Sequence, residues 1–206
     1  MKIVFMKRIM ILTTLLLPIL AFDAQAQEVT KEKMTKNVPK YQTEAPLPKG
    51  WPTPGPYDLV SEKKFPAYRA AYTDGSWQNF AFMRLFKHIK NKDIPMTSPV
   101  EMEMEENNEN LKMKSMGFMY QNTEVGQIGK DGEKVDVRDV PATMTLCYTW
   151  QGKNSSKTRK VAKKALEVEL KKRSIEGTDY RILGYNGPGV PNDKKTWEML
   201  VVLAKK

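Results

Sequence analysis

Apolar residues along this chain come in segments of different period. The first is a run from Ile9 to Phe22, broken only by Thr13, Thr14 and Pro18. From Gln27 to Pro56 the chain turns polar, with Pro39, Pro46, Pro48, Pro52, Pro54 and Pro56 and no sustained period, which reads as a mobile arm or linker on which Trp51 is the one docking candidate. Short alternating pieces around Tyr57–Glu62 and Pro66–Thr73 predict two strands separated by Lys63-Lys64. Asp74-Gly75-Ser76 is a turn, and Trp77 to Asn91 has helical spacing. Its apolar stripe is wide: Trp77, Phe80, Ala81 and Leu85 form one row, and Phe82, Phe86 and Ile89 another. Core packing accounts for most of these residues, but so wide a stripe can serve both the sheet and a ligand. In Lys92 to Met102, two prolines four residues apart hold the backbone extended and forbid a helix, making a stiff helix-to-strand joint.

Beyond the joint the period returns to two. Val100–Glu105 and Leu111–Tyr120 predict a hairpin rich in methionine, with Met102, Met104, Met113, Met116 and Met119 filling irregular apolar space. A Gly-containing loop from Gln121 to Gly132 precedes another strand, Val135–Val140. Met144–Trp150 alternates strictly. Ser155 to about Arg173 is a second helix, striped by Val161, Ala162, Ala165, Leu166, Val168 and Leu170. Tyr180–Tyr185 and Thr196–Ala204 are strands around a constrained loop, Asn186 to Asn192. The order strand, helix, strand thus occurs twice. That predicts an α+β fold, a mostly antiparallel β core with two helices packed outside, and leaves barrel and open sheet as alternatives.

Composition narrows the function. Lys2, Lys7 and Arg8, the apolar run, and the small-x-small triplet Ala24-Gln25-Ala26 predict a secretory signal peptide over residues 1–26, with a mature chain starting near Gln27. The protein is therefore expected to be exported, periplasmic or secreted, with no integral span after cleavage. A single cysteine, Cys147, excludes an internal disulfide, and a single histidine excludes multi-histidine metal sites. Net charge is +10, and Lys153 to Arg173 holds nine basic residues against Glu167 and Glu169. Such a helix is a solvated face or a contact for an anionic surface. Export and the lack of any nucleic-acid motif argue against nucleic acid.

Four pieces, in order, carry a family resemblance: Lys64-Phe65-Pro66-Ala67-Tyr68-Arg69-Ala70-Ala71, the helix Phe80 to Ile89, the string Ile94-Pro95-Met96-Thr97-Ser98-Pro99-Val100, and Tyr185-Asn186-Gly187-Pro188 followed by Trp197. Together they resemble the SOUL haem-binding family over roughly Tyr57 to the C-terminus. The sequence departs from that pattern at Asn91-Lys92-Asp93, at Asp193-Lys194-Lys195-Thr196, and at His88, which stands for a helical Tyr. The resemblance implies a pseudo-repeated, distorted antiparallel β-barrel flanked by two helices over residues 57–206. It also implies non-enzymatic binding or transport of haem or another tetrapyrrole, in an apolar groove by the first helix and the loop before the last strand. The alternative is an effector-binding or protein-interaction module of the same fold with a non-haem ligand.

On that resemblance, Phe82 and Phe86 are candidates to stack on a porphyrin, Lys87 to pair with a propionate, and Val190 to supply an apolar contact from the opposite wall. His88 is a candidate axial ligand, since imidazole is the commonest protein ligand of haem iron. Against each stands the plainer role of core packing or solvation. Cys147 reads as a small buried strand residue. Glu101, Glu103 and Glu105 alternate with Met102 and Met104 and read as the wet face of a strand. No nucleophile–base pair is visible, which argues against an enzyme.

Overall fold

The computed structural model describes residues 40–75, 78–107 and 110–204. The signal-peptide expectation, and Trp77 at the start of the first helix, lie outside these residues.

The elements run β1 (Val60–Phe65), β2 (Tyr68–Asp74), α1 (Gln78–Asn91), β3 (Val100–Asn107), β4 (Asn110–Met119), β5 (Gly129–Asp131), β6 (Val135–Val140), β7 (Thr143–Gln151), α2 (Ser156–Arg173), β8 (Gly177–Gly184) and β9 (Thr196–Leu203). All strands join one antiparallel sheet in the order β1-β7-β9-β8-β3-β4-β2-β6-β5. The repeat is visible in that order. The unit β2-α1-β3-β4 pairs as β2-β4-β3, and β7-α2-β8-β9 pairs as β7-β9-β8; the two meet at the β3–β8 seam. Among the described residues β1 and β5 are free edges, so the sheet is open rather than a closed barrel. The break between the first strands falls at Pro66-Ala67, not at Lys63-Lys64. Proline lacks the N–H that a central ladder needs, whereas Lys63 and Lys64 pair with Thr145 and Met144.

Alternation gives the sheet two apolar faces. Ala71, Phe118, Leu146, Ile182 and Met199 join Ala81, Leu85 and Ile89 of α1 and Ala162 and Leu166 of α2 in the helix-side core. Their chain neighbours Ala70, Tyr72, Met119, Cys147, Leu183 and Leu200 form a second core on the opposite face. A period of two with both sets apolar requires cover on both sides. The segment read as a mobile arm supplies the second cover: Trp51 is buried against Phe65 and Tyr68, and Tyr41 packs edge-on to Tyr185. Its backbone is also tied down, Lys49 N–H donating to Gln121 O (2.8 Å) and Ser98 N–H to Pro46 O (3.0 Å). From Lys40 onward the linker reading is therefore corrected: its prolines keep it extended while its aromatics bind it to the sheet.

The second face also overturns the reading of Glu101 as solvated. Glu101 is 1% exposed. It accepts from Tyr68 Oη (2.9 Å), Tyr72 Oη (2.6 Å) and Arg181 Nη1 (3.0 Å). Gly117, opposite both Tyr72 and Glu101 in register, makes room for this; a Cβ there would stand 2.6 Å from the Tyr72 ring. Glu198 is buried likewise, held by Lys63, Thr149 Oγ1 (2.7 Å) and Tyr185 Oη (2.9 Å). Buried carboxylates need such partners to remain charged. Burial pushes the hydroxyls of Tyr68, Tyr72 and Tyr185 well above their usual range. Cys147 is buried as expected, and burial pushes its thiol up, so it is a packing residue rather than a nucleophile.

Candidate functional site: the cleft beside the first helix

Helix α1 divides its residues among three surroundings. Ala81, Leu85, His88 and Ile89 face the sheet, Phe80 and Met83 are exposed, and Phe82 and Phe86 point along the side. The two phenyl rings stack nearly parallel (10°, centroids 6.3 Å apart), and Phe82 meets Phe118 edge-on at 5.0 Å.

The joint after α1 is pinned by its small polar residues. Ile94 N–H returns to Ile89 O (2.9 Å), closing the helix end. Thr97 Oγ1 donates to Met119 O (2.6 Å), and Ser98 Oγ donates to Tyr185 O (2.7 Å). The Ile94–Val100 string is thus a clip that fixes the start of β3 to the end of β4, to Tyr185 after β8 and, through Ser98 N–H on Pro46 O, to the segment before β1. On the other side, Gly184 has no side chain, so the Trp197 ring can lie over it; a Cβ there would stand 2.8 Å from that ring. Trp197 Nε1 is anchored on Gly152 O (2.9 Å).

Between these walls lies a cleft of about 570 Å³, within the range of small-molecule sites. Phe82 and Phe86 form one side, Trp197 and Gly184–Pro188 the other, with Met96, Met102 and Met116 also lining it. Thr97, Ser98, Asn79, Gln78, Glu44 and Lys195 supply the polar rim. Of the residues expected at the site, Phe82 and Phe86 are brought together here. Lys87 is exposed and Val190 buried, and neither lines the cleft. Lys195 and Trp197, which were not among the expected site residues, do line it.

His88 is also outside the cleft, and its role is corrected. It is 5% exposed; Nδ1 lies 2.5 Å from Asp131 Oδ2 and Nε2 2.7 Å from the Tyr120 hydroxyl. A neutral ring donating from Nδ1 to Asp131 accepts from Tyr120 at Nε2, so neither nitrogen has a free lone pair for iron. The hydrogen bond from His88, with Lys92 beside it, holds the Asp131 carboxyl below its usual range. Burial, with Asp131 second, pushes the Tyr120 hydroxyl up to about 12. The cluster ties α1 to β5 and to Tyr120 after β4. Nothing in the sequence marked Asp131 as its partner, because the contact crosses a loop between distant elements.

Among the described residues no group of three or more His, Cys, Asp and Glu side chains could hold a metal ion, and no helix is long and apolar enough to cross a membrane. The model of the SOUL haem-binding proteins matches residues 55–202. The chain belongs to the SOUL haem-binding protein family. Haem binding is therefore its function at the level of the family. No curated protein matches it in sequence. Its fold is similar to that of EcmrR in a DNA complex (12% identity, TM-score 0.57, covering 72% of this chain and 58% of that one). It is also similar to the EcmrR C-terminal domain (13%, TM-score 0.53, 72% and 98%) and to a hydrolase from Listeria innocua (11%, TM-score 0.53, 73% and 94%). At these identities the likeness concerns the fold alone. The SOUL chain thus shares its architecture with proteins of unlike function, and its own site has to be argued from its own residues.

Proposed function

We propose that this SOUL protein binds haem or a related tetrapyrrole, without catalysis, in the cleft between α1 and the loop before β9. The observation that carries this reading is the shape and lining of the cleft. Two parallel phenyl rings face an indole across an apolar space that methionines can adapt to a flat ligand. A tetrapyrrole fits that donor set by stacking and apolar contact. Phe82, Phe86 and Trp197 would hold its faces, and Met96, Met102 and Met116 are the soft donors within reach of the cleft. The iron, where present, supplies an absorption signature; the chain supplies binding and orientation. Against an enzyme, the described residues of the lining pair no nucleophile with a general base. The basic, apolar and small-x-small order of residues 1–26 supports export, and N-terminal sequencing of the exported protein tests it.

The test is an absorption titration of the purified protein with ferric haem. A Soret band saturating at one equivalent is expected. Phe82→Ala with Phe86→Ala should weaken it roughly tenfold or more, while His88→Ala should leave the band position unchanged. A broad, non-saturating change in the parent protein would reject the cleft as a tetrapyrrole site, and a shifted Soret band in His88→Ala would restore that residue as a ligand.

A further inference from the structure

The cleft does not end at Trp197. A second cavity of about 400 Å³ shares Gln78, Met102, Lys195 and Trp197 with it and continues between the β7–α2 and β8–β9 loops. The two loops are tied together by Gly152 N–H donating to Lys195 O (2.9 Å) as well as by the Trp197 indole on Gly152 O. Among the described residues, the annex is lined by three cations, Lys153, Arg159 and Lys195, and by no acid. Three other cations of α2 are paired, Lys163 with Glu106 and Glu167, Lys172 with Glu169, and Arg173 with Glu62 and Glu169, while Lys157, Lys160, Lys164 and Lys171 are exposed to solvent. None of the three in the annex makes an ion pair with a described residue, although Arg159 and Lys195 are half-buried. Half-buried cations left unpaired cost free energy that an anionic ligand group would recover. Asn154 adds a buried side-chain oxygen without a partner at the same place. Its amide, turned end for end, presents an N–H donor instead. Among the described residues the one carboxylate lining the main cleft, Glu44, takes the N–H of Gly187 (2.6 Å) and does not line the annex.

We infer that the annex is a carboxylate subsite. Lys153, Arg159 and Lys195 receive the free acid edge of a flat apolar ligand whose body lies between Phe82, Phe86 and Trp197. The inference rests on the tetrapyrrole reading of the cleft and makes it specific: the ligand class is porphyrin acids, not neutral or esterified porphyrins. It also sets the orientation, with the acid edge toward α2 and away from Glu44.

The experiment compares ferric haem with its dimethyl ester in one mild-detergent buffer, followed by Soret absorption and tryptophan quenching. The parent protein should bind the free acid about tenfold more tightly than the ester, since a charge-assisted contact contributes on that scale. Lys153→Gln, Arg159→Gln and Lys195→Gln combined should remove that preference by weakening haem alone. Arg159→Lys, with Lys153 and Lys195 retained, should largely keep it. Added salt should weaken haem binding in the parent and not in the triple variant. Phe82→Ala should weaken acid and ester together. Equal binding of acid and ester by the parent overturns the subsite while leaving the cleft intact, and so does parent-like preference in a folded triple variant. Saturable binding of neither ligand overturns the cleft reading and the subsite with it.

Discussion

The two halves of the sheet carry the same strand–helix–strand–strand unit and use the helix differently. In the second half, α2 is capped by Ser155, whose hydroxyl accepts from Thr158 N–H while Thr158 reaches back. It seats Ala162 and Leu166 fully and gives the rest of its 18 residues mainly to charge. In the first half, the shorter α1 buries Ala81, Leu85, His88 and Ile89 and still has phenyl rings left over. The two connections that follow also differ. After α2 the chain turns at Ser174 directly into β8, whereas after α1 it runs through the Pro95–Pro99 clip before β3 begins. The longer connection opens a cleft beside α1, and the loops at the foot of α2 close its far end with cations. The first unit thus provides the phenyl rings and methionines, and the second the Trp197 wall and the cations.

The largest effect should come from the seam where the halves meet. Arg181 of β8 pairs with Glu101 of β3, the carboxylate fully buried and the guanidinium largely so. Glu101→Ala removes the counter-charge of that guanidinium, which among the described residues keeps only the Tyr68 hydroxyl (2.8 Å), and the carboxylate acceptor of Tyr68 and Tyr72. A loss of about 3–5 kcal/mol, measured by denaturant unfolding, is expected. Loss of less than about 1 kcal/mol would mean that the β3–β8 ladder and apolar packing hold the halves together without this pair.

Next in size is a matched pair. Leu85 and Leu166 are both fully buried, one on each helix. Each substitution to Ala should cost about 2–5 kcal/mol. They should differ in binding: Leu85→Ala loosens the helix that carries Phe82 and Phe86 and should weaken haem, whereas Leu166→Ala should reduce stability with little change in affinity of the folded protein. Equal effects on affinity would remove the functional contrast between the helices.

The smallest effects are in pH. The native Tyr120 hydroxyl, near 12, lies above its value in the unfolded chain, about 10. Its neutral form is favoured by folding, so that contribution is complete below pH 10 and is lost as pH rises toward 12. Tyr68, Tyr72 and Tyr185 are raised further, so their tyrosinate absorbance should appear only with unfolding. Asp131 works in the opposite direction. Its native value is depressed, so its contribution is present above about pH 4 and is lost as pH falls below that. Ionisation of Tyr68, Tyr72 or Tyr185 ahead of unfolding would contradict the buried network.

Much of this architecture was legible in the sequence because period and punctuation report local structure. The helix to Asn91, the strand Val135–Val140 and the twofold order of elements follow from spacing alone. Phe82 and Phe86 were identifiable because they lie on one helix face. Gly117 and Gly184 were not, since their role is to leave room for a ring on the neighbouring strand. Glu101 looked solvated because alternation separates two faces without saying which is covered, and the cover comes from Trp51 and Tyr41 far upstream. His88 was misread for a related reason: its partners Asp131 and Tyr120 are 43 and 32 residues away. Lys195 was noted as a departure from the family pattern, but only the tertiary contact between two loops places it at the cleft.

The most direct measurement is NMR of the protein labelled at its methionine methyl groups, with and without one equivalent of ferric haem. Paramagnetic broadening should be strongest at Met96, Met102 and Met116, which line the cleft. Met144 lies at the opposite end of β7 from Trp150, roughly 20 Å away by strand rise, and should be affected least. That pattern places the ligand between α1 and Trp197. Broadening centred on Met144, or spread evenly over the methionines, would put haem elsewhere on the surface and contradict the account.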